Sequence, residues 1–152
     1  MNPYGAEFQI PDRIIIHSMG EYILDEKTNK TYKAKDFLLK LGLSAHVLIY
    51  PDGEEERLRR DDQGAYHAKG FNTNSLSIEF LVPGVHTYGT FLKTIAKPYL
   101  TESAFQVGLD RCRKWESAWH IGGRIDRHSD VDPKRKKDPG KGFPWERFVE
   151  EL

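Results

Sequence analysis

One cysteine, no membrane-length apolar run and no excess charge of either sign remove several classes of protein at once. With Cys112 alone an internal disulfide is impossible, so a packed core has to supply the stability. No apolar stretch approaches the ~18 residues of a membrane-spanning helix, and Met1 to Glu7 lacks the basic region and apolar stretch of a signal peptide. Synthesis in the cytoplasm without a signal peptide, and no membrane insertion, are therefore expected. The 23 basic and 23 acidic side chains cancel, which leaves no global field to draw nucleic acid. Partners have to be recognised locally.

What is present suits one folded unit. A chain of 152 residues with 38% apolar and 12% aromatic side chains is long enough for one core and too apolar for disorder, so a single domain over residues 1–152 is expected. Ile14-Ile15-Ile16 is a β-branched run that predicts a buried strand with His17 at its end. Lys33 to Leu41 has helical spacing through Phe37, Leu38 and Leu41, with Gly42 placed as a C-terminal cap. Ala45–Tyr50 and Glu55–Arg60 flank the turn signal Pro51-Asp52-Gly53 and predict a hairpin. Leu76 to Val82 predicts another strand, ended by Pro83-Gly84, with Glu79 amid apolar neighbours. Thr101 or Ser103 can cap a helix whose apolar residues Phe105, Leu109, Cys112, Trp115 and Trp119 recur at three to four positions. Ile121 to Arg127 is expected to return to the sheet and present His128. A short helix from about Trp145 to Glu151 closes the chain.

His17, His128 and Asp138 are of the right types to hold zinc, since imidazole nitrogen and carboxylate oxygen both suit that ion and three ligands leave a fourth position open for water. Spacing does not select them, because the chain has six histidines, many carboxylates and neither an HExxH nor a CxxC pattern. His46, His86 and His120 read as packed or surface residues. His67, Asn72 and Asn74 lie in a polar loop: for His67, substrate contact or a supporting hydrogen bond to the site competes with plain loop structure, and for the two asparagines hydrogen bonding to a peptide or sugar competes with turn structure. Lys134 to Lys137 reads as a solvated basic run or a nucleic-acid patch, and the balanced total charge weakens the second reading. Trp145 reads as core packing, and Cys112 as a packed thiol.

The stretch Arg127-His128-Ser129-Asp130-Val131-Asp132-Pro133-Lys134-Arg135-Lys136-Lys137-Asp138-Pro139-Gly140 resembles the zinc and catalytic loop of type 2 N-acetylmuramoyl-L-alanine amidases. The likeness continues through Phe143, Trp145, Arg147 and Phe148. Upstream it takes in His17-Ser18, Ser44-Ala45-His46, Tyr66-His67-Ala68-Lys69-Gly70 and Asn74-Ser75-Leu76-Ser77-Ile78-Glu79. The resemblance implies an α/β fold, a central mixed β-sheet flanked by helices, with a zinc site at strand ends. It also implies Zn2+ held by His17, His128 and Asp138, and Glu79 with Lys136 as the catalytic pair. The phage lysozyme-type members place a catalytic tyrosine where this chain has Ala45, so the chain resembles the members that use a strand glutamate and a loop lysine. The activity so implied is hydrolysis of the amide between N-acetylmuramic acid and L-alanine in peptidoglycan or muropeptides, in cell-wall lysis or remodelling. A non-catalytic peptidoglycan-binding module is the alternative. The expected form is a monomer, released to the wall by phage lysis or another route.

Overall fold

Register in the parallel part of the sheet decides which side chains meet. In the computed structural model, which describes residues 4–152, β1 (Arg13–Asp25) pairs in parallel with β5 (Ser75–His86), and β5 pairs in parallel with β3 (Val47–Ile49). The start of the amino-terminal segment read above for a signal peptide, residues 1–3, lies outside the described residues. Ile16, Ile78 and Val47 are register partners, and so are His17, Glu79 and Leu48. Paired residues share a face and successive residues alternate. One face is therefore apolar apart from Ser18, while the other carries Ser75, Ser77 and the pair His17 and Glu79.

The apolar face carries Ile14, Ile16, Val47, Ile49, Leu76, Ile78 and Phe80 against α3 (Glu102–Trp119) and α5 (Trp145–Glu151). Helix α3 begins where the Thr101 hydroxyl accepts from the Ala104 amide, and it buries Phe105, Leu109, Cys112 and Trp115. Each such side chain contributes roughly 1.5 to 3 kcal/mol of burial. Phe143 and Phe148 pack with Phe80 and Phe105, and Trp145 stacks on Phe148 at 6.4 Å with Arg127 above it. On the other face a smaller cluster, Leu48, Leu81 and Ala45 with Ala34 and Leu38, seats α1 (Ala34–Lys40). The sequence-predicted helices α1, α3 and α5 are found closely as expected, and the hairpin of β3 with β4 (Glu55–Arg57) is found with strands shorter than Ala45–Tyr50 and Glu55–Arg60.

The sheet order is β2-β1-β5-β3-β4, with β6 (Ile125–Arg127) also on β1. One edge of β1 is thus shared. Its first half pairs with β6 up to Ile16 opposite Arg127, and its last residues pair with β2 (Lys30–Lys33) from Tyr22 onward. Between them the edge at His17 to Glu21 has no strand partner among the described residues. That opening holds the candidate site.

Several boundaries differ from the sequence reading. His17 does not end its strand but sits inside β1, because β1 runs on past it and a register shift between Gly20 and Tyr22 re-aims the strand toward β2. Strand β5 likewise passes through Pro83-Gly84 to His86, since pairing of Tyr22 with Val85 and of Ile23 with His86 carries it beyond the proline. The return to the sheet is shorter than Ile121 to Arg127: Gly122 and Gly123 take φ of +69° and +77°, which turns the chain until Ile125. Helix α2 (Tyr88–Ile95) was not anticipated, although Thr87 and Thr90 cap it reciprocally. Among the described residues no helix is long and apolar enough to cross a membrane.

Candidate active site

Three elements converge at the gap on the β1 edge. His17 projects from the interior of β1, and one step beyond the last β1–β6 pair His128 opens the short helix α4 (His128–Val131) beside it. The loop after α4 returns Asp138, held by a hydrogen bond from the Ser129 amide to the Asp138 carbonyl. The Ser18 amide, which no strand engages on this edge, donates to Asp138 Oδ2 at 3.2 Å. The hydroxyl of Tyr99 donates to the Pro139 carbonyl at 2.7 Å and ties the same loop down from the helical side.

The donor atoms then lie close together. His17 Nδ1 and His128 Nδ1 are 2.9 Å apart, His128 Nδ1 is 3.1 Å from Asp138 Oδ1, and His17 Nδ1 is 3.5 Å from Asp138 Oδ2. Zinc bonds of 2.0 to 2.2 Å in a tetrahedron separate ligand atoms by about 3.3 Å. The observed spacings bracket that value, and all three groups are buried. The residues fit a divalent ion, with two neutral nitrogens and one anionic oxygen as the donor set.

The electrostatics follow from that burial. Loss of water around His17 lowers its pKa to about 4, with Asp138 opposing and His128 and Lys136 assisting. Burial disfavours the charge of Asp138, yet hydrogen bonds with His128 and His17 hold its pKa below the ordinary carboxylate value. Glu79 is the converse. It is only 7% exposed and one carboxylate oxygen, Oε1, has no hydrogen-bond partner among the described residues. Burial first and Asp138 second push its pKa well above the usual value, while Lys136 pulls it down.

A groove of about 680 Å³ opens over these groups. His17, His128, Asp138, Glu79, Lys136 and His67 all line it, so six of the eight residues singled out in the sequence meet at one place. Lys136 is partly buried there, whereas Lys134, Arg135 and Lys137 are exposed. Asn72 and Asn74 do not line the groove. The Asn72 side-chain oxygen accepts from the His67 and Ala68 amides at 2.9 Å each, which shapes the loop, and the Asn74 carbonyl accepts from the Asp12 amide at 2.9 Å. Loop closure thus engages the Asn72 side chain, whereas Asn74 is held through its backbone and its buried Oδ1 has no hydrogen-bond partner among the described residues. His46 is fully buried, accepts from the Ser77 amide at Nδ1 and meets the Gln63 carbonyl at Nε2, a packed role as expected.

The sequence reading passed over the apolar walls of the groove, including Phe37, Leu41 and Leu43 on one side and Tyr88, Phe91 and Leu92 on the other. The capping pair Thr87 and Thr90 was the available signal for the second wall. Ser18 and Ser75 also went unassigned, since their roles depend on an unpaired strand edge and on a distant loop.

A curled mixed sheet with two histidines and an aspartate gathered in a groove defines an α/β domain with a candidate divalent-metal site. Residues 7–141 match the family described as N-acetylmuramoyl-L-alanine amidase, and the chain belongs to that family. It is 32% identical over 111 residues to the 1,6-anhydro-N-acetylmuramyl-L-alanine amidase AmpD of Enterobacter cloacae, a match spanning 71% of this chain and 56% of the relative. The chain thus covers a little over half the length of that relative. Its fold is similar to that of the N-acetylmuramoyl-L-alanine amidase LysC from Clostridium intestinale, with a TM-score of 0.72, 20% identity and coverage of 98% and 91% of the two chains. It is also similar to the amidase AmiD of E. coli, solved with an anhydro-muropeptide substrate, with a TM-score of 0.69, 20% identity and coverage of 96% and 59%.

Proposed function

We propose that this chain hydrolyses the amide between the lactyl group of N-acetylmuramic acid and L-alanine, in peptidoglycan or in muropeptides released from it, and that it does so with zinc. The observation that carries this reading is the convergence of His17 Nδ1, His128 Nδ1 and an Asp138 carboxylate oxygen beside a buried glutamate inside one groove. Family membership supplies the substrate class, and relatives named as an endolysin amidase and as a 1,6-anhydro-N-acetylmuramyl-L-alanine amidase leave wall and soluble fragments both as arms of the test.

His17, His128 and Asp138 would hold the ion. When bound there, zinc supplies Lewis-acid activation of water and of an amide carbonyl near neutral pH. The chain's own groups carry the protons. Glu79, poorly solvated and with a free oxygen, accepts a proton from the attacking water and passes it to the departing L-alanine nitrogen. In balance, the water oxygen bonds to the carbonyl carbon, the carbon–nitrogen bond breaks, and the amine leaves protonated. Lys136, on the groove wall, donates to the oxygen that gains negative charge as the carbon becomes tetrahedral. The apolar walls exclude water around these groups and strengthen both interactions.

The test is to incubate the zinc-loaded protein with intact sacculi and, separately, with soluble anhydro-muropeptides, and to identify the products by mass. Release of peptides beginning with L-alanine is expected, from one substrate or both. Zinc bound far below one per chain and no peptide from either substrate would refute the reading in favour of a binding module.

A further inference from the structure

A chain of polar atoms runs from His17 away from the other two ligands. His17 Nε2 lies 2.8 Å from His67 Nδ1, His67 Nε2 lies 2.8 Å from Ser75 Oγ, and the Ser75 hydroxyl donates to the Phe71 carbonyl at 2.6 Å. The far end sets the direction. A backbone carbonyl only accepts, so the single hydroxyl proton of Ser75 is committed to Phe71. Ser75 Oγ is left to accept from the ring, and His67 therefore carries its proton on Nε2. A neutral imidazole has one N–H, so His67 Nδ1 is an acceptor and takes the proton of His17 Nε2. With both rings neutral, His17 Nδ1 is a bare lone pair, and it faces His128 and Asp138.

The geometry agrees with in-plane hydrogen bonding. The His17 and His67 ring centroids lie 5.0 Å apart, a separation that suits nitrogen-to-nitrogen contact at the ring edges, and the planes are twisted by 79°. Asn72 fixes the backbone under His67 through the two amide bonds already described, and Ser75 is fully buried at the start of β5. Both ring nitrogens of His67 are engaged, which leaves neither for a hydrogen bond to substrate.

We propose that His67, anchored by Ser75 and the Phe71 carbonyl, is a positioning residue that sets the tautomer of His17 so that Nδ1 faces the metal; this rests on the reading of His17 as a ligand. Of the readings that loop position left open for His67, this selects the supporting hydrogen bond over substrate contact. Partners that orient a ligating histidine in this way typically alter metal affinity ~10- to 100-fold when removed.

The experiment has two parts. Zinc affinity of the full chain, His67→Ala and Ser75→Ala is measured by competition with a chromophoric chelator. His67→Ala should bind ~10- to 100-fold more weakly, and Ser75→Ala should be weaker in the same direction by a smaller factor. In the metal-free parent, long-range proton–nitrogen correlation spectra should show His17 and His67 each protonated at Nε2, a signature that a merely structural loop residue would not produce. Should His67→Ala fail to fold, Ser75→Ala and the spectra of the parent decide the matter. A parent that does not bind zinc sinks the metal reading and the proposal with it. A parent that binds while both variants bind equally well, or a His17 protonated at Nδ1, overturns the positioning role and leaves the metal reading standing.

Discussion

Replacing Glu79 by glutamine is expected to stabilise the metal-free protein while removing most of its activity. Glu79 is held on the polar face of the sheet beside His17, with 7% exposure, an orphaned Oε1 and Asp138 close enough to disfavour its charge. A carboxyl whose folded pKa is raised weakens the fold at any pH above its unfolded value, because the unfolded chain releases the proton more readily. At pH 7 the amide removes that penalty while conserving shape. A buried polar group without a partner costs about 1 to 3 kcal/mol, and more when charged. Glutamine remains polar and recovers only part of this, on the order of 1 to 2 kcal/mol. For a domain of this size that corresponds to a rise in Tm of about 2 to 8 °C. Loss of the proton carrier should lower turnover ~100- to 10,000-fold. Calorimetry on chelator-treated parent and Glu79→Gln at pH 7 measures the first effect, and mass-resolved peptide release by the zinc-loaded proteins measures the second. Zinc should narrow the gap in Tm, since a nearby cation compensates the glutamate charge. A variant less stable than its parent would refute the uncompensated-charge argument, and near-parental turnover would refute the acid–base role.

Three further outcomes test other links. Lys136→Ala should lower turnover ~100- to 1000-fold with zinc content unchanged; equal loss of metal, measured by emission spectrometry, would mean that Lys136 supports the site instead of the reaction. His46, held by burial at a pKa of about 4 against 6.5, binds a proton only in the unfolded chain between those values. Stability is therefore full above about pH 6.5 and falls as the pH drops toward 4, by up to ~1.4 kcal/mol per unit from this group. His46→Gln should flatten that slope in urea titrations of metal-free protein between pH 7 and 5, and coincident slopes would exclude the assignment. A Cβ at Gly108 would stand 2.3 Å from Cζ of the fully buried Phe80, so Gly108→Ala should lower the urea midpoint. Overpacking of ~1 to 3 kcal/mol outweighs the gain in helix propensity of up to ~1 kcal/mol; a raised midpoint would show that the ring moves aside freely.

Much of the fold was legible because local signals and final contacts agree. The Ile14 to Ile16 run, the hairpin at Pro51-Asp52-Gly53 and the apolar stripe of α3 each find their partners on the apolar face of the sheet. Length was the weaker guide. Strands β1 and β5 outrun their sequence signals because they pair with each other over polar and glycine-containing positions, where the hydrogen bonds come from a neighbour distant in the chain.

The residue types of the site, two imidazoles, two carboxylates and a lysine, were determined by the sequence, as was the long motif that contains His128, Lys136 and Asp138. Only the tertiary structure decided that His17 and Glu79 are register partners, that the β1 edge is open between β6 and β2, and that the Ser18 amide meets Asp138 while the His67 ring meets His17. The reason is physical: a strand edge, a hydrogen-bond direction and a burial-driven pKa are properties of pairs of groups. Nothing in the spacing of a single chain states which pairs will form.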